Sequence, residues 1–311
     1  MIYPICFAPL QGFTTAIYRE AHARVFGGVD VYYSPFVRWE KDGVRNRDLR
    51  DIDPNRNVLE KAHFVPQLLA GNVEELKSLM LVVGKLGYHE VDLNWGCPFP
   101  LLTKRHKGVG LLAAPDEALR ILKALSDYPD VRFSIKMRVG MTSADEGMAL
   151  VEALNEAPLQ QITLHPRVGV QQYRGEADWE AFSRFAGKCQ HPLIYNGDIH
   201  SVEDIAKVTE RFPSVAGVMV GRGLLARPSM AVEYQRGETW SEQQLRDGIR
   251  RVHDIIYAYE SSVCQGEVQL LTKMQCYWAY LSPQIDKKSF KRLTKCTKLH
   301  NYLEAVADAL K

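Results

Sequence analysis

The sequence predicts an α/β protein, a (β/α)8 TIM barrel followed by a small C-terminal helical domain. Eight short apolar runs alternate with amphipathic stretches, which is the pattern of repeated βαβ units. The residues just beyond several of these runs are polar or glycine, as at the C-terminal mouth where such barrels keep their chemistry. After Val220 the strand pattern stops, and from about Ser241 only helical periodicity continues. The predicted division is therefore residues 1–240 for the barrel and 241–311 for the helical domain.

Taken in order, the strand-like runs are Ile5–Ala8, Val29–Tyr33, Val65–Leu69, Glu90–Asn94, Phe133–Met137, Gln161–His165, Pro192–Tyr195 and Gly217–Val220. The stretch Met1 to Leu10 is apolar but lacks a basic lead and a small-residue cleavage site, so it reads as a first strand and not a signal peptide. Thr14 opens the first helix, Ser143 with Glu146 makes a capping box, and Ser201 with Asp204 makes a similar start. Arg38 to Asn57, rich in charge, Gly, Asn, Pro and Asp, reads as a long loop after the second strand, a lid or substrate contact. Gly237 lies in the connection to the helical region.

A chain of 311 residues with 46% hydrophobic content can bury a substantial core. Its formal net charge of +2 identifies no polyanionic partner, so that argument must rest on local clusters. The six cysteines are scattered without a Cys-x-x-Cys pair, which argues against a metal site or a disulfide framework and for the reducing cytoplasm. No stretch is long and apolar enough to span a bilayer, so no membrane partner is expected, and the chain is expected to act as a monomer.

The run ending Asn94-Trp95-Gly96-Cys97-Pro98 places a carboxamide and a thiol at a strand tip, before the basic loop Lys104-Arg105-His106-Lys107. Cys97 reads as a proton donor, a nucleophile or a small buried hydrophobe. A thiol with a pKa of about 8.5 is mostly protonated at neutral pH and donates without tuning, whereas a nucleophile needs a nearby base, and the sequence offers none. Lys136, flanked by alternating apolar residues, carries an ammonium into the mouth. It needs an anionic partner, either a neighbouring carboxylate or the electron-rich edge of a reduced flavin. Asn196-Gly197-Asp198 and Gly221-Arg222-Gly223 follow the seventh and eighth strands, where barrels commonly bind phosphate; the alternative is two tight turns. Gln67, Asn94 and His165 could each simply hold a loop, but a flat, heteroaromatic, phosphate-bearing ligand would use amide, imidazole and ammonium groups together.

These motifs resemble the flavin-dependent tRNA-dihydrouridine synthases. The resemblance runs from Ala8-Pro9-Leu10-Gln11-Gly12 through Gln67-Leu68-Leu69-Ala70-Gly71, Asp92 to Pro98, Lys136-Met137-Arg138, His165-Pro166-Arg167 and Tyr173 to Trp179, to Asn196-Gly197-Asp198 and Gly221-Arg222-Gly223. It implies FMN in the barrel mouth, held by Ala8, Pro9, Leu10, Gln67, Asn94, Lys136, His165, Asn196, Gly197, Asp198, Gly221 and Arg222. It further implies NADPH as reductant, a uridine of tRNA as substrate, hydride addition at C6, and Cys97 as the acid that protonates C5. The sequence departs from the family's pattern at Leu10, at Pro166-Arg167-Val168, and at Phe99-Pro100, where a lysine is usual.

For the RNA side, Lys287, Lys288, Lys291, Arg292, Lys295 and Lys298 occur without an intervening acid. At about 100° per residue, 287, 291, 295 and 298 share one helical face, with Phe290, Leu293 and Cys296 turned inward. The helix reads as a phosphate-backbone contact or as a solvated charged face. Arg38, Lys104, Arg105, Lys107, Arg138, Arg167, Tyr173 and Arg174 are the further RNA contacts expected at the mouth. Two other functions fit the same barrel: a small-molecule flavoenzyme that would not need the basic helix, and a non-catalytic tRNA-binding protein.

Overall fold

The computed structural model describes residues 2–41, 43–59 and 61–311. Among the described residues eleven strands form one sheet: β1 Ile5–Phe7, β2 Val31–Tyr33, β3 Val37–Glu40, β4 Gly43–Val44, β5 His63–Val65, β6 Gln67–Leu69, β7 Glu90–Trp95, β8 Arg132–Gly140, β9 Leu159–Val168, β10 Leu193–Asn196 and β11 Gly217–Val220. β1 pairs in parallel with both β2 and β11, which closes the sheet into the predicted barrel.

Two of the eight staves are broken. Pro66 has no N–H to donate and separates β5 from β6, while the chain diverges after β2 and returns as β3. β2 pairs with β5 and β3 with β6, so the two breaks lie side by side in the barrel wall. Ser34 covers the gap: its N–H donates to the Val65 carbonyl at 3.1 Å, and its Oγ accepts from the Gln67 N–H at 2.9 Å.

Alternation sorts the strand residues between two layers. Ile5 and Phe7 belong to the large core under the outer helices, while Cys6, Tyr33, Val65, Ile194 and Met219 pack together as a separate cluster inside the barrel. The interior also holds polar groups, with Gln67, Asp92 and Ser134 buried on adjacent staves.

Arg38 to Asn57 is not a loop. It holds the β3–β4 hairpin, a helix at Asn46–Asp51 and a 3-10 turn at Pro54–Arg56. It is tied down by Arg19, whose guanidinium donates to the Asp51 carbonyl at 2.5 Å and to Asn57 Oδ1 at 2.7 Å. The first helix starts one residue later than predicted, at Ala16, with the Asp51 carboxylate accepting the Ala16 N–H at 2.9 Å. Thr14 instead accepts the Leu10 N–H through its hydroxyl. Ser143 does cap its helix, but Glu146 turns away from the reciprocal position to bind the amides of Met141 and Thr142. The reciprocal capping box is at Ser241 and Gln244.

From Glu242 onward the chain is helical, with principal helices Glu242–Val263, Glu267–Tyr277, Lys287–Lys295 and Leu299–Ala309. Among the described residues no helix is long and apolar enough to cross a membrane. Glu242–Val263 lies along Ala16–Val25 of the barrel, and Gly248 makes the close approach possible, since a Cβ there would sit 2.5 Å from the Phe26 ring. At the centre of the helical region the Trp278 indole N–H donates to Tyr302 Oη at 2.8 Å, and Tyr302 Oη lies 2.9 Å from His253 Nε2. All three side chains are buried.

Tyr302→Phe leaves the Trp278 N–H and a His253 nitrogen without partners in a dry core. We expect a loss of about 1–3 kcal/mol in unfolding free energy by denaturant titration. An unchanged midpoint would show that the network contributes nothing.

Candidate active site

Cys97 sits on a turn whose backbone is held from both sides. Asn94, three residues earlier at the tip of β7, turns its Oδ1 back to accept the N–H of Gly96 at 3.1 Å and of Cys97 at 2.9 Å. Arg138 on β8 donates from Nε to the Gly96 carbonyl at 3.0 Å and from Nη1 to the Val168 carbonyl at 3.0 Å. The Cys97 carbonyl accepts from Val109 at 3.1 Å, which folds the following loop back onto the turn. The thiol is partly buried, and that burial pushes its pKa above the ordinary thiol value, so it stays protonated at neutral pH.

Beside this turn, Lys136 points into the mouth and donates from Nζ to Asn196 Oδ1 at 2.7 Å; Asn196 in turn donates to the Met219 carbonyl at 2.7 Å. No carboxylate forms an ion pair with Lys136 among the described residues, and burial, reinforced by Arg138, lowers its pKa to about 8. His165 is buried in the C-terminal half of β9, 3.2 Å from an Arg167 nitrogen, and desolvation next to several cations holds it neutral. Arg167 is also buried, donating to the Gly175 carbonyl at 2.6 Å and to Asp198 Oδ2 at 2.5 Å.

Asp198 has a left-handed backbone, φ +46°, which is uncommon outside glycine. Its carboxylate is held by Arg167 and by the Ala177 N–H at 2.8 Å. Burial alone would raise its pKa, but these donors outweigh that and keep it below the usual range. Arg222, 3.6 Å from the same carboxylate, stacks its guanidinium 4.6 Å from the centre of the Tyr173 ring.

A family model described as dihydrouridine synthase (Dus) matches residues 6–311. The chain belongs to that family. Relatives include a tRNA-dihydrouridine(16) synthase of Pseudomonas syringae pv. tomato, 30% identical over 254 residues that cover 77% of this chain and 80% of that one. A tRNA-dihydrouridine synthase B of Vibrio vulnificus is 27% identical over 289 residues, 90% of this chain and 83% of the relative. Among solved structures, morphinone reductase in complex with tetrahydroNAD has a TM-score of 0.56 at 9% identity, covering 76% of this chain and 87% of that one. The old yellow enzyme of Trypanosoma cruzi has a TM-score of 0.54 at 10% identity, with 76% and 89% covered. At such identities the likeness is one of fold, and it is a likeness to barrels.

In this dihydrouridine synthase the expected ligand residues converge. Ala8, Pro9, Leu10, Lys136, His165, Asn196, Gly197, Asp198, Gly221 and Arg222 line one cleft, and Asn94 and Cys97 line its continuation. Gln67 lies beneath the cleft, fully buried between Asp92 and Asn94. The donor set suits an anionic, heteroaromatic ligand: Lys136, Arg138 and Arg222 and the imidazoles of His165 and His200 face a single lining carboxylate, Asp198, which is already paired. Gly221 keeps the floor open, since a Cβ there would press on Ala8 at 3.3 Å and Leu10 at 3.4 Å. These residues fit a flavin mononucleotide.

The expected RNA contacts divide. Lys104, Arg105 and Arg174 are exposed, as is Tyr173, which lines the cleft. Arg138 and Arg167 are buried, Arg138 donating to the Gly96 and Val168 carbonyls and Arg167 to the Gly175 carbonyl and Asp198, so they shape the site from within and do not stand on its exposed surface. Lys107 is tied to Glu75 at 2.6 Å and Arg38 to Glu40 at 2.5 Å. Lys287, Lys288, Lys291 and Lys295 are exposed on one helix, whose Leu293 is buried, while Arg292 pairs with Asp308 at 2.8 Å. Lys298 is not on that helix: the chain turns extended at Cys296, and Lys298 caps the next one.

Sequence reasoning missed the aromatic wall around Cys97. Phe13, Phe36 and Tyr280 line the cleft with Tyr173, and Phe13 meets Tyr280 edge-on at 5.0 Å. Tyr280 comes from the helical region, so both parts of the chain build this wall. Its only sequence signal was an aromatic next to Leu281-Ser282-Pro283, which reads equally well as core.

Because burial raises the Cys97 pKa, alkylation of that thiol by iodoacetamide should accelerate with pH around a midpoint above about 8.5, the ordinary cysteine value. Peptide mapping by mass spectrometry, with Cys97→Ala as control, measures this. A midpoint below that value would mean an activated thiolate.

Proposed function

We propose that this chain reduces the C5=C6 bond of specific uridines in tRNA, with FMN held in the barrel mouth, NADPH as reductant and Cys97 as the proton donor to C5. The observation that carries the proposal is the Cys97 turn, clamped at the mouth of a cationic cleft with its thiol kept protonated. FMN, once reduced, supplies a hydride to C6 of the uracil ring.

Lys136 would face the electron-rich edge of the flavin ring, where its ammonium offsets negative charge, and Asn196 fixes its direction. Arg222 and the Gly221 turn would receive the phosphate. Cys97 transfers its proton to C5, where charge is delocalised into the C4 carbonyl, and is left as a thiolate that regains a proton from solvent. The nearby Arg138 and Lys136 cations lower the cost of that thiolate.

The target base must leave its stack to reach this depth, which is easier from an RNA loop than from a duplex. Phe13, Phe36, Tyr173 and Tyr280 would enclose the extruded ring. The exposed Lys104, Arg105 and Arg174, with Lys287, Lys288, Lys291 and Lys295 on the helical face, would hold the phosphate backbone. Action on tRNA implies the cytoplasm.

Cys97→Ala should retain bound flavin and NADPH oxidation while dihydrouridine formation falls about 100- to 10,000-fold, the range of a lost general acid. Loss of the yellow chromophore instead would make Cys97 structural. Replacing Lys287, Lys288, Lys291 and Lys295 with alanine should weaken tRNA binding across sequences and flatten its dependence on salt by about one unit per lost phosphate contact. Filter binding at several salt concentrations reads the slope, and an unchanged slope would make this face merely solvated.

A further inference from the structure

Beneath the catalytic turn runs a chain of buried hydrogen bonds. Asp92, on β7 inside the barrel, accepts from Ser134 Oγ at 2.7 Å with one carboxylate oxygen and from Gln67 Nε2 at 2.6 Å with the other. Gln67 Oε1 accepts from Asn94 Nδ2 at 2.7 Å, and Asn94 Oδ1 accepts from Gly96 and Cys97. Asp92 and Gln67 are fully buried and Asn94 nearly so.

The direction of every bond in this chain is dictated from its ends. An ionised carboxylate only accepts, so Gln67 must turn its NH2 towards Asp92 and its oxygen towards Asn94. That oxygen only accepts, so Asn94 must turn its NH2 towards Gln67 and its own oxygen away. The two backbone N–H groups of the turn only donate, and they find that oxygen waiting. Reversing either carboxamide would set two donors or two acceptors against each other in a dry interior, at the cost of unpaired buried polar groups.

We propose that Asp92 is a positioning residue for the reaction: through Gln67 and Asn94 it fixes the polarity of the amide chain that holds the Cys97 turn in place. The inference rests on the reading of Cys97 as proton donor, but its first readout does not. Burial raises the Asp92 pKa to about 6, which leaves the carboxylate in its acceptor-only form at neutral pH. The part that matters is the oxygen facing Gln67 and not the charge. An asparagine at this position can offer its oxygen to Gln67 and its NH2 to Ser134 Oγ, which accepts as well as donates. A leucine of similar shape offers nothing to either.

The test compares Asp92→Asn with Asp92→Leu in the full-length flavin-loaded protein, measuring the rate of Cys97 alkylation by iodoacetamide at fixed pH and dihydrouridine formation on tRNA. The Leu variant should change the alkylation rate at least about threefold and lower product formation by about 100-fold, as for a displaced catalytic group. The Asn variant should stay within about threefold of the parent in both. If the Leu variant is insoluble, Asp92→Ser, whose hydroxyl is short and fixes no polarity, takes its place with the same expectation. Equal alkylation in parent and Leu (or Ser) variants would overturn the proposal, as would an Asn variant that falls as far as Leu, which would make the charge itself the requirement. Failure of the proton-donor reading shows separately, as undiminished product formation by Cys97→Ala.

Discussion

Closure of the sheet is the constraint on which the rest depends. Once β1 pairs with both β2 and β11, the C-terminal tips of the parallel strands face the same mouth, and residues as distant as Ala8 and Arg222 line one cleft. Closure is achieved with two broken staves, and the break at Pro66 places Gln67 as the first residue of β6, beside Asp92. The Ser34 hydroxyl that bridges the break also accepts the Gln67 N–H, so barrel closure and the orientation of the polar interior share an atom.

Electrostatics at the mouth follow a division of labour among the arginines. Arg138 and Arg167 have given up solvent for backbone carbonyls and one carboxylate; the charge of Arg138 acts through space on Cys97, Lys136 and His165, and that of Arg167 on His165. Arg222 stays half-exposed, stacked on Tyr173. Because Arg167 and the Ala177 amide occupy Asp198, and Asp92 lies buried beneath with its oxygens bonded to Ser134 and Gln67, the cleft lining keeps an excess of cations. Such a field favours an anion before any specific contact forms.

The sequence exposed most of the barrel because its staves alternate and its turns carry glycine, proline and caps. It hid the Arg38–Asn57 segment, whose order comes from Arg19, a partner distant in sequence. The cleft residues were legible because a strand tip predicts its own position. Arginines at those tips were expected to contact RNA, since nothing local announces that Gly96, Val168 and Gly175 will offer carbonyls to them. The break at Cys296 was invisible because no glycine or proline marks it. Asp92 was passed over as part of a motif, since its importance lies in what two side chains do beyond it.

The protonated state of Cys97 has a consequence beyond its proposed role in proton transfer. Oxidation of cysteine by peroxide proceeds through the thiolate, and its rate follows thiolate fraction and access. A thiol that burial keeps protonated, behind a wall of Phe13, Phe36 and Tyr280, is therefore also a thiol sheltered from sulfenic acid formation. The burial that keeps the thiol protonated also makes it durable under oxidative stress.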